Sequence, residues 1–191
     1  MVARDLPAVA ASGFRPLTRV EYDKLVAMGC FEGEKVELLE GVLVTTSPSG
    51  PRHAATIQRL SRLIYAALLG RAELRVQMPF AASPHAEPEP DVAVVAPGDY
   101  DDDHPAAAHL LVEVADSSLD RDRDAKALIY ARAGVADYWG VNLEDGVVEV
   151  RREPTARGYL SVTPFRRGQR VALLAFADVS IAVDDVLPPP R

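Results

Sequence analysis

The sequence predicts an α/β fold, a mixed β-sheet flanked by helices. Three observations carry that reading. The stretches "DVAVVA" and "HLLVEVA" are short runs of mostly branched apolar residues, the pattern of strands buried on both faces. "HAATIQRLSRLIYAALL" repeats Ile57, Leu60, Ile64 and Leu68 at helical spacing, and "DRDAKALIYARAG" is a second helical segment closed by Gly134. Successive strands are often joined by short turns, which builds antiparallel pairs into the sheet.

Taken in order, "LTRVEYDKLVAMG" opens with Thr18 as N-cap and Glu21 three residues on, the spacing of a capping box, and ends at Gly29. "KVELLEGVLVTT" reads as two strands turning at Glu40 and Gly41. The long helix follows "SPSGPRH", and strands are expected in "ELRVQMPF", "DVAVVA" and "HLLVEVA". After the second long helix, "DYWGVNL", "GVVEVRRE", "GYLSVTPF" and "QRVALLA" read as further strands. The "GVVEVRRE" hairpin and the later strands could supply an edge for a two-fold dimer. Residues 1–16 read as a disordered leader, 17–187 as a single domain and 188–191 as a tail.

At 191 residues the chain is long enough for one domain with a real core. No apolar run approaches the roughly 20 residues that a membrane helix needs. Asp5 and Pro7 break the apolar patch near the N-terminus, which argues against a signal peptide. Cys30 is the only cysteine, so an internal disulfide and a thiolate metal cluster are excluded. A cytoplasmic location, without membrane contact, is the expectation. The net charge of -7 argues against a strong non-specific grip on nucleic acid, although it leaves room for a transient substrate.

Several chemistries are missing. The sequence holds no phosphate-binding glycine loop, no G-x-S-x-G elbow and no H-E-x-x-H zinc motif. "DYDDDHP" fails as a calcium loop, because His104 stands where the turn glycine belongs and Leu110 where the closing glutamate belongs.

Two carboxylates survive this sifting, Asp91 in "EPEPDVAVVAP" and Glu113 in "LLVEVADSS". A buried carboxylate costs several kcal/mol or more unless something compensates it. The short connection "PGDYDDDHPAAA" favours an antiparallel pairing, which sets the start of one strand beside the end of the other. Two carboxylates brought together in this way repel unless a cation separates them, and oxygen-rich sites suit Mg²⁺ or Mn²⁺. Plainer readings stand beside this one. Asp91 could simply start a strand at the surface, and Glu37 in "KVELLEG" could lie on the wet face of an edge strand.

From "VELLEGVL" through "PSGPRH", "VQMPF", "PEPDVAVV" and "LLVEVADSS" to "RDRDAKALIYARAGVADYWGVN", roughly residues 17 to 152, the chain resembles the Uma-two family of restriction-endonuclease-like proteins. These belong to the PD-(D/E)XK nuclease superfamily. The resemblance implies a restriction-endonuclease-like fold with a four-stranded mixed sheet, here with additional C-terminal strands. It also implies a divalent-metal site for phosphodiester cleavage. Pro90–Asp91 would be the "PD", Glu113 the acid of the "(D/E)XK", and Glu37 the upstream glutamate, so that Glu37, Asp91 and Glu113 hold Mg²⁺ or Mn²⁺. The lysine expected two residues after the acid is replaced by Ala115, and Lys126 on the following helix takes its place. The competing reading of Lys126 is a surface pair with Asp122, worth a few tenths of a kcal/mol. Asp137 stands where the family more often has glutamate.

The expected function is therefore a metal-dependent endonuclease, with Asp91, Glu113 and Lys126 catalytic and nucleic acid, DNA foremost, as substrate. Arg52 and His53, just before the long helix, are the expected phosphate contacts, though His53 could equally cap or pack at that turn. A nuclease fold that binds without turnover, and a metal-dependent phosphatase, remain the alternatives.

Overall fold

The computed structural model describes residues 13–46, 50–115 and 121–189, without the side chains of residues 121–124. Helix α1 spans Arg19–Ala27 and carries the expected capping box: Thr18 Oγ1 accepts from Glu21 N, and the Glu21 carboxylate accepts from Thr18 N. Tyr22, buried in α1, donates to Val36 O at 2.7 Å and ties the helix to the next element. That element is the hairpin β1 (Val36–Leu39) and β2 (Val42–Thr45). Its two turn residues have positive φ, 50° at Glu40 and 80° at Gly41. A Cβ at Gly41 would lie 2.8 Å from Pro16 Cα, so glycine is required there twice over, for conformation and for space. The first twelve residues of the expected leader, and Pro190 and Arg191 of the expected tail, lie outside the described residues. Pro16 packs on the hairpin, and Arg15 pairs with Glu21.

The main sheet has six strands: β3 (Glu73–Val76), β4 (Val92–Val95), β5 (Leu110–Ala115), β6 (Asp137–Asn142), β7 (Val147–Thr155) and β8 (Gly158–Phe165). They lie in chain order, and every neighbouring pair is antiparallel except β5 with β6. The resemblance implied four strands; the β7–β8 hairpin extends that core, and β8 forms its outer edge with Leu160 and Val162 exposed. The single parallel pair requires a crossover, which helix α3 (Arg121–Arg132) provides.

Helix α2 (Pro51–Leu68) lays Ile57, Leu60, Ile64 and Leu68 on one face of the sheet, against Val92, Val94, Val112 and Val114. The other face, with Ala93, Val95, Leu111 and Tyr138, packs on Ala127, Ile129 and Tyr130 of α3. The apolar runs of β4 and β5 are thus continuous because each face has its own helix. Burying a leucine or isoleucine side chain in this way contributes about 1.5–3 kcal/mol.

A C-terminal annex completes the α2 face. "QRVALLA" forms only the short β9 (Arg170–Ala172), paired with β10 (Ser180–Ala182) and followed by α4 (Val183–Val186). Its anchor is Asp137, fully buried, which accepts from Arg152 Nε at 2.9 Å, Trp139 Nε1 at 3.0 Å and Leu174 N at 2.9 Å. The residue to which the sequence attached no role is therefore the knot between β6, β7 and the annex.

The β1–β2 hairpin meets the body of the protein where Glu87 N donates to Leu38 O at 2.7 Å. The Glu87 side chain is 2% exposed, with Arg19 Nη1 3.7 Å from Oε2 and His104 Nε2 3.9 Å from Oε1. Burial pushes its carboxyl up to about 7; Asp23 adds to this, and Arg19 opposes it. Because the folded state holds this proton more tightly than the unfolded chain, stability present at low pH is lost as the pH rises through about 5 to 7. Glu87→Gln, which stays neutral, should therefore gain on the wild type by about 2–3 kcal/mol between pH ~5 and pH ~8. Urea midpoints at both pH values check this, and parallel pH slopes for the two proteins would contradict it.

Candidate active site

The end of β5 and the start of β4 open into a cavity of about 680 Å³, walled on the far side by the β1–β2 hairpin. Its floor carries Glu37, Asp91, Glu113 and Lys126, with His53 and Gln77 at the side. The strands put the acids there. β4 and β5 pair antiparallel, as expected, with Val92 opposite Val112, so the register sets Asp91 across from Glu113.

Asp91 is no surface strand-start: it is 7% exposed and hydrogen-bonded on both carboxylate oxygens. Oδ2 accepts from Val114 N at 2.8 Å and lies 3.2 Å from His53 Nε2. Oδ1 receives only a longer bond, 3.3 Å, from Gln77 Nε2. Gln77 has φ 50°, which ends β3 one residue earlier and turns the amide toward Asp91. The hydrogen bond to Asp91 raises the pKa of His53 and outweighs the opposing effect of burial. His53 is thus committed to Asp91. Arg52 lies beside it in the first turn of α2, half-buried, and does not line the cavity.

Glu37 is buried at 2% exposure, so it does not sit on a wet strand face. Lys126 Nζ lies 2.8 Å from Glu37 Oε2, 3.1 Å from its Oε1 and 3.3 Å from Glu113 Oε1. Glu89 N donates to Glu37 Oε2 at 3.1 Å. At 9% exposure Lys126 points inward, which excludes the surface-pair reading; the Asp122 side chain lies outside the described residues. Burial would lower the pKa of Lys126, but Glu113 and Glu37 together overcome it and hold the ammonium above its ordinary value.

Glu113 is the least compensated acid. Burial pushes its carboxyl up to about 7; Lys126 works against the rise, and Asp91 and Glu37 add to it. Its Oε1 accepts from Tyr130 OH at 2.6 Å. Tyr130 was not singled out from the sequence, although its position one turn after Lys126 places both on one helical face. Gln77 was also missed. Its only sequence signal is its place in "VQMPF", since the amide acts through a backbone turn that composition does not reveal.

Among the described residues, no group of three or more His, Cys, Asp or Glu forms a ready metal cage. Glu37, expected as a third ligand, is instead engaged by Lys126. What remains fits a hard cation that keeps most of its water: a pair of carboxylates on adjoining strands, open to a polar cavity.

The Lys126 ammonium is the compensating charge for Glu37. Lys126→Met should cost about 3–5 kcal/mol, because it leaves buried carboxylates without their counter-charge. Adding Glu37→Gln to it should recover part of that loss. Chemical denaturation of the two single mutants and the double mutant gives the coupling, and a loss of only a few tenths of a kcal/mol for Lys126→Met would contradict the burial argument.

Comparison with known proteins bears on the fold and the family. No curated protein matches the chain. The structure is similar to a crystal structure described as a putative nuclease belonging to DUF820, from Anabaena variabilis ATCC 29413, with a TM-score of 0.70. The match covers 90% of this chain and 97% of that one at 17% identity, a likeness of fold. The Uma2 family model, described as "Putative restriction endonuclease", matches residues 20–184. That match spans most of the 191 residues, and the chain belongs to the Uma2 family.

Proposed function

We propose that this protein is a metal-dependent endonuclease that hydrolyses phosphodiester bonds in nucleic acid, with DNA the first substrate to test. The observation that carries the reading is the convergence of Asp91, Glu113 and Lys126 on one polar cavity. Membership of the Uma2 family, described as "Putative restriction endonuclease", supports it. Ala115, which leaves the expected lysine position empty, weighs little against it, because Lys126 brings an ammonium to 3.3 Å from Glu113 from the following helix.

Asp91 and Glu113 would hold Mg²⁺ or Mn²⁺. The ion would supply a water of lowered pKa and charge stabilisation at the scissile phosphate. Asp91 is kept in place by Val114 N and Gln77, so its carboxylate enters the reaction already oriented. Lys126, fixed by Glu37, offers positive charge to the attacking water or to the phosphate as negative charge develops there. Arg52, at the start of α2, would meet a neighbouring phosphate outside the cavity. Pairing of a second copy along the β8 edge would put two such sites on one assembly.

A cleavage screen with Mn²⁺ over plasmid DNA, single-stranded DNA and RNA tests the reading. Wild-type protein should cleave at least one of these, and Asp91→Asn combined with Glu113→Gln should abolish the cleavage. Failure on all three substrates, or cleavage that survives the double substitution, would overturn it. For the contact outside the cavity, Arg52→Ala should weaken nucleic-acid binding and reduce the salt slope by about one, leaving Mn²⁺ affinity unchanged. An unchanged slope in binding titrations at several salt concentrations removes Arg52 from the interface.

A further inference from the structure

A glutamate side chain has enough torsional freedom to present either oxygen, or both, to a cation. At Glu113 two residues of α3 limit that freedom. Tyr130 OH donates to Oε1 at 2.6 Å, and Lys126 Nζ lies 3.3 Å from the same atom. Among the described residues, no donor is recorded for Oε2. Among the described residues the carboxylate is therefore asymmetric: Oε1 is engaged twice by the helix, and Glu113 lines the cavity.

The Tyr130 hydroxyl is expensive to place here. Its ring is fully buried, packed edge-on to Phe80 with centroids 6.2 Å apart and tilted against Tyr138 at 5.3 Å. A phenylalanine would fill the same space without a polar atom to desolvate. The hydroxyl's recorded hydrogen bond goes to Glu113.

We infer that Tyr130 is a positioning residue for divalent-cation binding, which by holding Oε1 of Glu113 presents the carboxylate to the ion through a single oxygen. The inference rests on the metal-dependent reading above and deepens it. Tyr130 itself touches neither ion nor substrate; it acts through Glu113, as outer partners of metal-binding carboxylates do. Single-oxygen presentation also bears on which ion is held. A small ion with strict octahedral geometry is served by a fixed single oxygen, whereas Ca²⁺ accepts a carboxylate through both oxygens.

Tyr130→Phe tests this on the full chain without nucleic acid, by calorimetric titration with Mn²⁺ and with Ca²⁺. The control is Tyr159→Phe. That hydroxyl donates to Val135 O at 2.9 Å, and its ring stacks on Tyr138 at 5.8 Å, so the same atom is removed near the same aromatic cluster but away from Glu113. Tyr130→Phe should weaken Mn²⁺ binding by about 10–100-fold and weaken Ca²⁺ binding less, so the preference for Mn²⁺ narrows. Tyr159→Phe should leave both affinities within about twofold even where it lowers the melting temperature by as much, since it alters no ligand partner. Unchanged Mn²⁺ affinity in Tyr130→Phe, or equal losses in the two variants, overturns the inference while the endonuclease reading stands. Wild-type protein that takes up no Mn²⁺ overturns both.

Discussion

Three carboxylates and one ammonium share the space at the strand ends, and the rest of the structure is arranged around keeping them there. Glu37, Asp91 and Glu113 come from three separate strands or strand starts, each with an apolar core behind it. Left alone, such a group would neutralise or drive the strands apart. Lys126 prevents this for Glu37 and partly for Glu113, His53 and the Val114 amide satisfy Asp91, and the Tyr130 hydroxyl donates to Glu113. The compensation is uneven, and the unevenness is informative. Glu37 is saturated by protein donors, whereas Glu113 stays high in pKa and incompletely paired.

The parallel β5–β6 pair is what makes Lys126 available. An antiparallel partner for β5 could have been reached by a short turn, with no helix crossing the sheet at this point. The crossover brings α3 over the face that holds Glu113, with Lys126 and Tyr130 one turn apart on its inner side. An ammonium supplied from a helix rather than from the strand leaves residue 115 free to be a small, buried alanine.

The opposite wall depends on smaller devices. Gly41 lets the β1–β2 hairpin turn tightly beneath Pro16, and the Glu87–Leu38 hydrogen bond fastens the hairpin to the body, which fixes the position of Glu37. Gln77 departs from the strand conformation to reach Asp91. These contacts involve few atoms, but each converts a position along the chain into a direction in the cavity.

Much of this was legible in the sequence. The capping box of α1, the Glu40–Gly41 turn, both long helices, the strand that follows Asp91 and the strand carrying Glu113 follow from local chemistry: caps, turn residues and hydrophobic period act over a few neighbours. The antiparallel β4–β5 pair was also readable, because its connection is too short for a crossover helix. What only the tertiary structure decided is who faces whom. That Lys126 pairs with Glu37 across 89 residues, that Tyr130 binds Glu113, and that Asp137 ties the C-terminal annex to the sheet depend on the packing of elements far apart in the chain. Local pattern fixes which face a side chain takes, but the partner on that face is chosen by the burial of the two helices on the sheet. A buried charge has to accept whatever counter-charge that packing brings within about 3 Å.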